Sequence, residues 1–268
     1  MATISTSRII LLLFVPALCG CNLQRNMLYY PSTNLPSQAT LSAYNIKFWP
    51  SDSNDYRGFI STLQASEVKG TIVIFHGNAG TATDRVYYVK ALTQLGYRVI
   101  LAEYPGYGGR KGEPGEEPFV HDAKETLRLA SEKYGAPIFL LGESLGCGVA
   151  AAAAKDSLVK IDGIILITPW DTLLSVAKEK ITWLPVRLFL RDKYDTIGNL
   201  KEYQGRIAVI GAERDEVIPI LHAQALFRSL PGSNKMYIIK GAGHNDWPGM
   251  VDLAWWKEIT EFIQGKNL

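Results

Sequence analysis

The sequence predicts an α/β fold, a mostly parallel sheet with helices on both faces, on three observations. Strand-like and helix-like segments alternate along the chain. Several strand-like segments, such as Thr71-Ile72-Val73-Ile74-Phe75, are continuously apolar, as strands buried on both faces are. A third apolar run, Ile138-Phe139-Leu140-Leu141, ends in the G-x-S-x-G box Gly142-Glu143-Ser144-Leu145-Gly146 and passes into the alanine-rich stretch 149–154. Strand, sharp turn and helix follow one another there, which lifts Ser144 out of the sheet on a strained turn. The box is a nucleophile-elbow pattern, and Ser144 is the candidate nucleophile.

At the N-terminus, Arg8 precedes the apolar run 9–15, too short to span a bilayer as a helix. Leu18-Cys19-Gly20-Cys21 follows and resembles a bacterial lipobox. That resemblance implies a lipoprotein signal peptide over 1–20, acylation of Cys21 at the mature N-terminus, and a chain lipid-anchored in the bacterial cell envelope. Asn22 in the second mature position implies the outer membrane where the organism has one. An uncleaved N-terminal anchor and an ordinary secretory signal are the alternatives. Of the three cysteines, Cys19 would be removed and Cys21 lipidated, leaving Cys147 as a small buried residue. No disulfide framework and no metal-ligand spacing appear.

About 248 residues then remain, one large domain's worth. Loss of Arg8 leaves 27 basic against 26 acidic residues, a balance that offers nucleic acid no attraction, and 47% of the whole chain is hydrophobic. The expected organisation is a leader over 1–20, an anchor and tether over 21–40, and the α/β domain over 41–268. Asn34 to Thr40 is polar and Pro-containing, as a tether is, whereas Met27-Leu28-Tyr29-Tyr30-Pro31 is apolar enough to pack on the domain.

Ala43–Trp49 and Tyr56–Thr62, with no helix between them, suit an antiparallel hairpin at the sheet edge. The strand at 71–75 leads into His76-Gly77-Asn78-Ala79-Gly80, whose small residues let amide groups point outward. The backbone amides of Asn78 and Leu145 are the candidate oxyanion hole, with His76 bracing the loop. Arg98–Ala102 is a strand, and the glycine-rich loop 103–110 is expected to line one wall of the site. Phe119–Tyr134 reads as a helix, 163–167 and 206–211 as strands, 235–239 as the last strand, and 252–262 as a closing amphipathic helix. His121 and His222 lie in helix-like stretches and read as structural.

Taken together, strand, His-Gly-Asn-Ala-Gly, strand, Tyr-Pro-Gly-Tyr-Gly, strand, Gly-Glu-Ser-Leu-Gly resembles the alpha/beta-hydrolase superfamily over roughly Tyr44 to Ile263. More narrowly it resembles the serine-hydrolase branch that includes serine aminopeptidases and dienelactone hydrolases. The resemblance implies an eight-stranded, mostly parallel sheet with the nucleophile after the fifth strand. It implies the acid in the loop after the strand at 206–211, where Asp215 matches, and the base in the loop 241–246, where His244 stands. Glu213, Glu216 and Asp171 compete with Asp215. Dienelactone hydrolases carry cysteine where this chain has Ser144, and the small cap, about 170–203, separates it from large-capped peptidases. The apolar cluster 181–190 within the cap either roofs an acyl pocket or packs on the sheet edge.

The expected chemistry is that of a serine esterase, with Ser144, His244 and Asp215 hydrolysing a carboxylic ester or thioester of a small-molecule acyl substrate. No cofactor or metal is called for, and a monomer is expected. A peptidase or amidase with the same three residues, and a non-catalytic lipoprotein scaffold, are the alternatives.

Overall fold

A computed structural model describes residues 24–63, 67–183 and 185–265; the expected leader and Cys21 lie outside these residues. The eight strands of the central sheet are β1 (Ile46–Pro50), β2 (Tyr56–Ser61), β3 (Gly70–Phe75), β4 (Tyr97–Ala102), β5 (Ile138–Glu143), β6 (Gly163–Ile167), β7 (Arg206–Ala212) and β8 (Asn234–Ile239). Their spatial order is β1-β2-β4-β3-β5-β6-β7-β8. Only β2 runs antiparallel to its neighbours, and the pairs from β4 to β8 are all parallel. The edge hairpin, the mostly parallel sheet and the fold class stand as the sequence predicts.

Side chains alternate across each strand, so a doubly covered sheet builds two cores. Val73, Phe75, Leu140, Ile164 and Val209 face one way, against α3 (Glu116–Tyr134), α4 (Leu145–Ala154) and α7 (Ile220–Ser229). Ile72, Ile74, Leu141, Ile165 and Ile210 face the other way, against α2 (Val86–Gln94) and α8 (Leu253–Ile263). The alanines of α4 are almost wholly buried, which is why so little bulk is tolerated there.

Between β6 and β7 the cap consists of α5 (Leu173–Lys180), a short 3-10 turn (Val186–Leu188) and α6 (Thr196–Leu200). Within the apolar cluster Leu190 packs against the core and, with Arg187, Thr172, Leu174, Lys193 and Asp195, lines a pocket. Val186 is buried, but Trp183 and Leu188 are 83% and 79% exposed.

The stretch 27–31 packs on the domain as its apolar residues suggest, and the expected tether beyond it is corrected, since residues on both sides of 34–40 are docked. Gln24 donates through Nε2 to the Asp192 carbonyl (3.0 Å) and accepts from the Arg191 amide (2.7 Å), both in the cap. Tyr29 is buried, with its hydroxyl donating to Asp192 (2.7 Å). Tyr30–Pro31 then pairs in parallel with Ala79–Gly80. Ser37 caps α1 (Gln38–Ala43), whose Leu41 is buried. A polar stretch is thus docked because its flanking apolar residues find partners on the domain.

Candidate active site

The elbow is built by backbone crowding. Ser144 sits at φ 52° and ψ −115° between β5 and α4, a conformation held only where the surroundings enforce it. A Cβ on Gly142 would meet the Gly146 carbonyl oxygen at 2.5 Å, and one on Gly146 would run into the Phe75 carbonyl. Strand and helix pass too close for any side chain at either position. The Ser144 amide donates to Ile167 of β6 (2.9 Å), tying the turn to the next strand.

Three loops at the carboxyl ends of β5, β7 and β8 bring Ser144, Asp215 and His244 together. His244 Nε2 lies 3.0 Å from Ser144 Oγ, and His244 Nδ1 lies 2.8 Å from Asp215 Oδ2. All three are at least nine-tenths buried. A carboxylate only accepts, so Nδ1 carries the hydrogen and Nε2 presents a lone pair to the serine hydroxyl. Asp215 is itself fixed by amides of Val217 (2.9 Å) and Ile218 (2.7 Å), both donating to Oδ1. A hydroxyl, a tautomer-fixed imidazole and a buried carboxylate in that order are equipped for nucleophilic acyl transfer.

The competing carboxylates are occupied elsewhere. Glu213 accepts from Lys240 Nζ and the Gly241 amide, each at 2.8 Å. Glu216 accepts from the His244 backbone amide (3.4 Å), not its ring. Asp246 accepts from the Gly243 amide (2.7 Å). Asp171 pairs with His222 Nδ1 at 2.8 Å.

Behind the candidate oxyanion loop stands a support of aromatic and acidic side chains. His76 Nε2 lies 3.0 Å from the buried carboxylate of Glu103, whose other oxygen accepts from the Ala82 amide (3.0 Å). Tyr104 donates to the His76 carbonyl and Tyr107 to the Asn78 carbonyl, both at 2.7 Å. Asn78 also accepts from the Tyr30 amide and donates through Nδ2 to the Leu28 carbonyl, each at 2.9 Å. His76 is therefore a brace, as its place in the sequence suggests, and the glycine-rich loop 103–110 backs the candidate oxyanion loop. Leu145 opens α4, so its amide is among the first-turn donors that have no partner within the helix.

One part of the site was not read from the sequence. Glu143, next to Ser144, is held by Arg85 Nε (3.0 Å), Tyr87 OH (2.6 Å) and Tyr88 OH (2.8 Å). Burial works to raise its carboxyl, but the Arg85 charge and the hydrogen bonds from Tyr87, Tyr88 and Arg85 outweigh it and leave the group below the ordinary carboxylate range. A glutamate closing a wholly buried strand demands a counter-charge, and that was the available signal. Cys147 is buried in the elbow helix, its Sγ 3.2 Å from the carbonyls of Gly142 and Ile167; burial pushes its thiol well above the ordinary value. His121 lies exposed on α3. Among the described residues no group of three or more His, Cys, Asp or Glu is placed to hold a metal ion, and no helix is long and apolar enough to cross a membrane.

The sheet order and the elbow define the α/β-hydrolase fold, which solved structures of known proteins share. The family model described as serine aminopeptidase, S33, matches residues 66–191. An uncharacterized protein of Mycobacterium tuberculosis, Rv2307c, is 28% identical over 235 residues, covering 85% of this chain and 83% of that protein. Lysophosphatidylserine lipase ABHD12 of Danio rerio is 28% identical over 192 residues, 62% of this chain and 50% of the lipase. Among solved structures, the Pyrococcus furiosus esterase Pf2001 superposes with a TM-score of 0.67 at 15% identity, over 88% of this chain and 98% of the esterase. These matches support a hydrolase.

Proposed function

We propose that this protein is a serine hydrolase that cleaves carboxylic esters or thioesters through an acyl-enzyme on Ser144. The observation that carries this reading is the single line of contacts from Asp215 through His244 to Ser144 Oγ on a strained elbow. As Ser144 Oγ bonds to the substrate carbonyl carbon, its proton passes to His244 Nε2. Asp215 remains a carboxylate, holding the imidazole and stabilising its cation. Backbone amides of Asn78 and Leu145 receive the charge that develops on the carbonyl oxygen. Collapse breaks the bond to the leaving group, which takes the proton from His244. Water then attacks the acyl-enzyme, gives a proton to His244 and releases the acid as Ser144 regains its hydrogen.

An ester is favoured over an amide because the carboxylate beside Ser144, Glu143, is taken up by Arg85, Tyr87 and Tyr88, and an esterase and a lipase stand among the similar proteins. A panel of acyl esters and thioesters set against aminoacyl anilides tests this. Ester turnover with an acyl adduct of Ser144 trapped in the intact mass is expected; anilide turnover exceeding ester turnover would make it a peptidase.

The same reading extends to the N-terminus. Residues 1–20 serve as a lipoprotein signal peptide and Cys21 carries the lipid, so the domain works in the cell envelope. Each buried acyl CH₂ contributes about 0.8 kcal/mol, and several chains on one residue hold durably. Cys21→Ser is expected to move the protein out of the membrane fraction; retention there would favour an uncleaved anchor.

A further inference from the structure

The chain enters the domain on the cap. Gln24 forms its hydrogen bonds with the backbone of residues 191 and 192, and Tyr29 joins Asp192 and Tyr194 through its hydroxyl (2.7 and 3.0 Å). Position 21 is three residues before Gln24, a reach of about 10 Å when fully extended. An anchor on Cys21 would therefore leave the molecule beside the cap.

The neighbouring cap surface has the makeup of a membrane interface. Trp183, Leu188 and Phe189 are 83%, 79% and 39% exposed within seven residues, and large apolar side chains exposed together mark interaction sites where singly scattered ones do not. Lys178, Lys180, Arg187 and Lys193 are exposed around them. The two acidic residues of the segment 178–193 are engaged elsewhere, Glu179 with His222 Nε2 (3.0 Å) and Asp192 with Tyr29 OH and the Glu116 amide (3.1 Å). The cap also lies against the site, since Lys180 Nζ donates to the carbonyl of Glu216 (3.0 Å), the residue after Asp215.

We infer that the cap is a membrane-docking surface: Trp183, Leu188 and Phe189 enter the head-group region of an anionic phospholipid bilayer while the surrounding lysines and arginine meet its phosphates. Docking there sets the domain on the bilayer by a second contact independent of the lipid on Cys21, with the cap side of the site toward the membrane. The inference rests on the proposed anchor only for the direction from which the chain arrives.

Vesicle flotation tests it with a chain starting at Asn22, which keeps every described element and carries no lipid. Binding to phosphatidylglycerol–phosphatidylethanolamine vesicles at low salt is expected, with weaker binding at high salt and on phosphatidylcholine alone. Trp183→Ser with Leu188→Ser should lower the partition coefficient about tenfold or more. Arg187→Gln and Lys193→Gln should each lower it about fivefold, and Leu188→Trp should raise it, a gain that misfolding does not mimic when the thermal midpoint is unchanged. No binding of the Asn22 chain, or equal binding by all variants, would overturn the inference. So would a dimer in size-exclusion chromatography that Trp183→Ser and Leu188→Ser convert to a monomer, because the patch would then be a self-interface. Hydrolysis of a water-soluble ester by the same chain reads the proposed function separately.

Discussion

At the carboxyl ends of β5, β7 and β8, His244 has Asp215 at Nδ1 and Ser144 at Nε2. Under the cap, His222 of α7 has Asp171 and Ser175 both at Nδ1, at 2.8 and 3.4 Å, and Glu179 at Nε2, at 3.0 Å. The residue types are the same, but the second set has no line along which a proton can move from serine to ring. Nδ1 of His222 donates to Asp171 and so has no lone pair for Ser175, and Nε2 faces another carboxylate. Ser175 also lies inside α5, with its hydroxyl donating to Asp171 and standing 2.8 Å from the Thr172 carbonyl. Burial works to raise the Asp171 carboxyl, but hydrogen bonds from Ser175, the Thr172 amide and His222 prevail and hold it below its ordinary value. One set is arranged for chemistry; the other clasps the cap to α7. Geometry around the imidazole, not composition, separates them.

Paired substitutions sharpen that contrast. Ser144→Ala is expected to lower kcat/KM on an acyl ester by about 10⁴-fold or more, and Ser175→Ala by no more than about threefold, read by steady-state kinetics on folded protein. Asp215→Asn should lose about 10⁴-fold in kcat by spoiling the tautomer of His244. Asp171→Asn should leave kcat within a few-fold and show its effect in the thermal midpoint instead.

Glu143→Gln probes the support of the nucleophile. It leaves the part-buried Arg85 without its carboxylate, a change that costs about 3 kcal/mol of stability, measured by urea denaturation. The pH dependence has a definite sign. Folding lowers the Glu143 carboxyl below its ordinary value of 4.5, so its stabilisation is complete above that value and is lost as pH falls through the lower folded one. Wild type should lose more stability than Glu143→Gln across that acid window. His222→Gln, which unfastens the cap clasp, has the smallest expected effect, about 1–2 kcal/mol, with little change in soluble-ester kinetics.

The sheet was legible because strands buried on both faces are continuous apolar runs, and the elbow was legible because close packing of β5 on α4 leaves room only for glycine at 142 and 146. Ser144 follows from its motif, and His244 from the family pattern for the last loop, since His222 also follows Asp215. Asp215 needed the family pattern to separate it from Glu213, Glu216 and Asp171, since composition alone does not say which carboxylate faces a ring. The Glu143 clamp was missed because its partners Arg85, Tyr87 and Tyr88 lie more than fifty residues upstream in a stretch with no motif of its own. Packing of 27–31 on the domain was legible in its apolar run, whereas docking of the polar stretch 34–43 was not, because one buried apolar residue there, Leu41, does not mark a polar segment as part of a domain.

The most direct test is fluorophosphonate labelling of the wild-type chain followed by peptide mapping of the adduct. An adduct on Ser144, absent in Ser144→Ala and strongly slowed in Asp215→Asn, with Ser175 unmodified, is the predicted result. An adduct on Ser175, or a folded wild-type chain with no adduct on Ser144, would contradict the account.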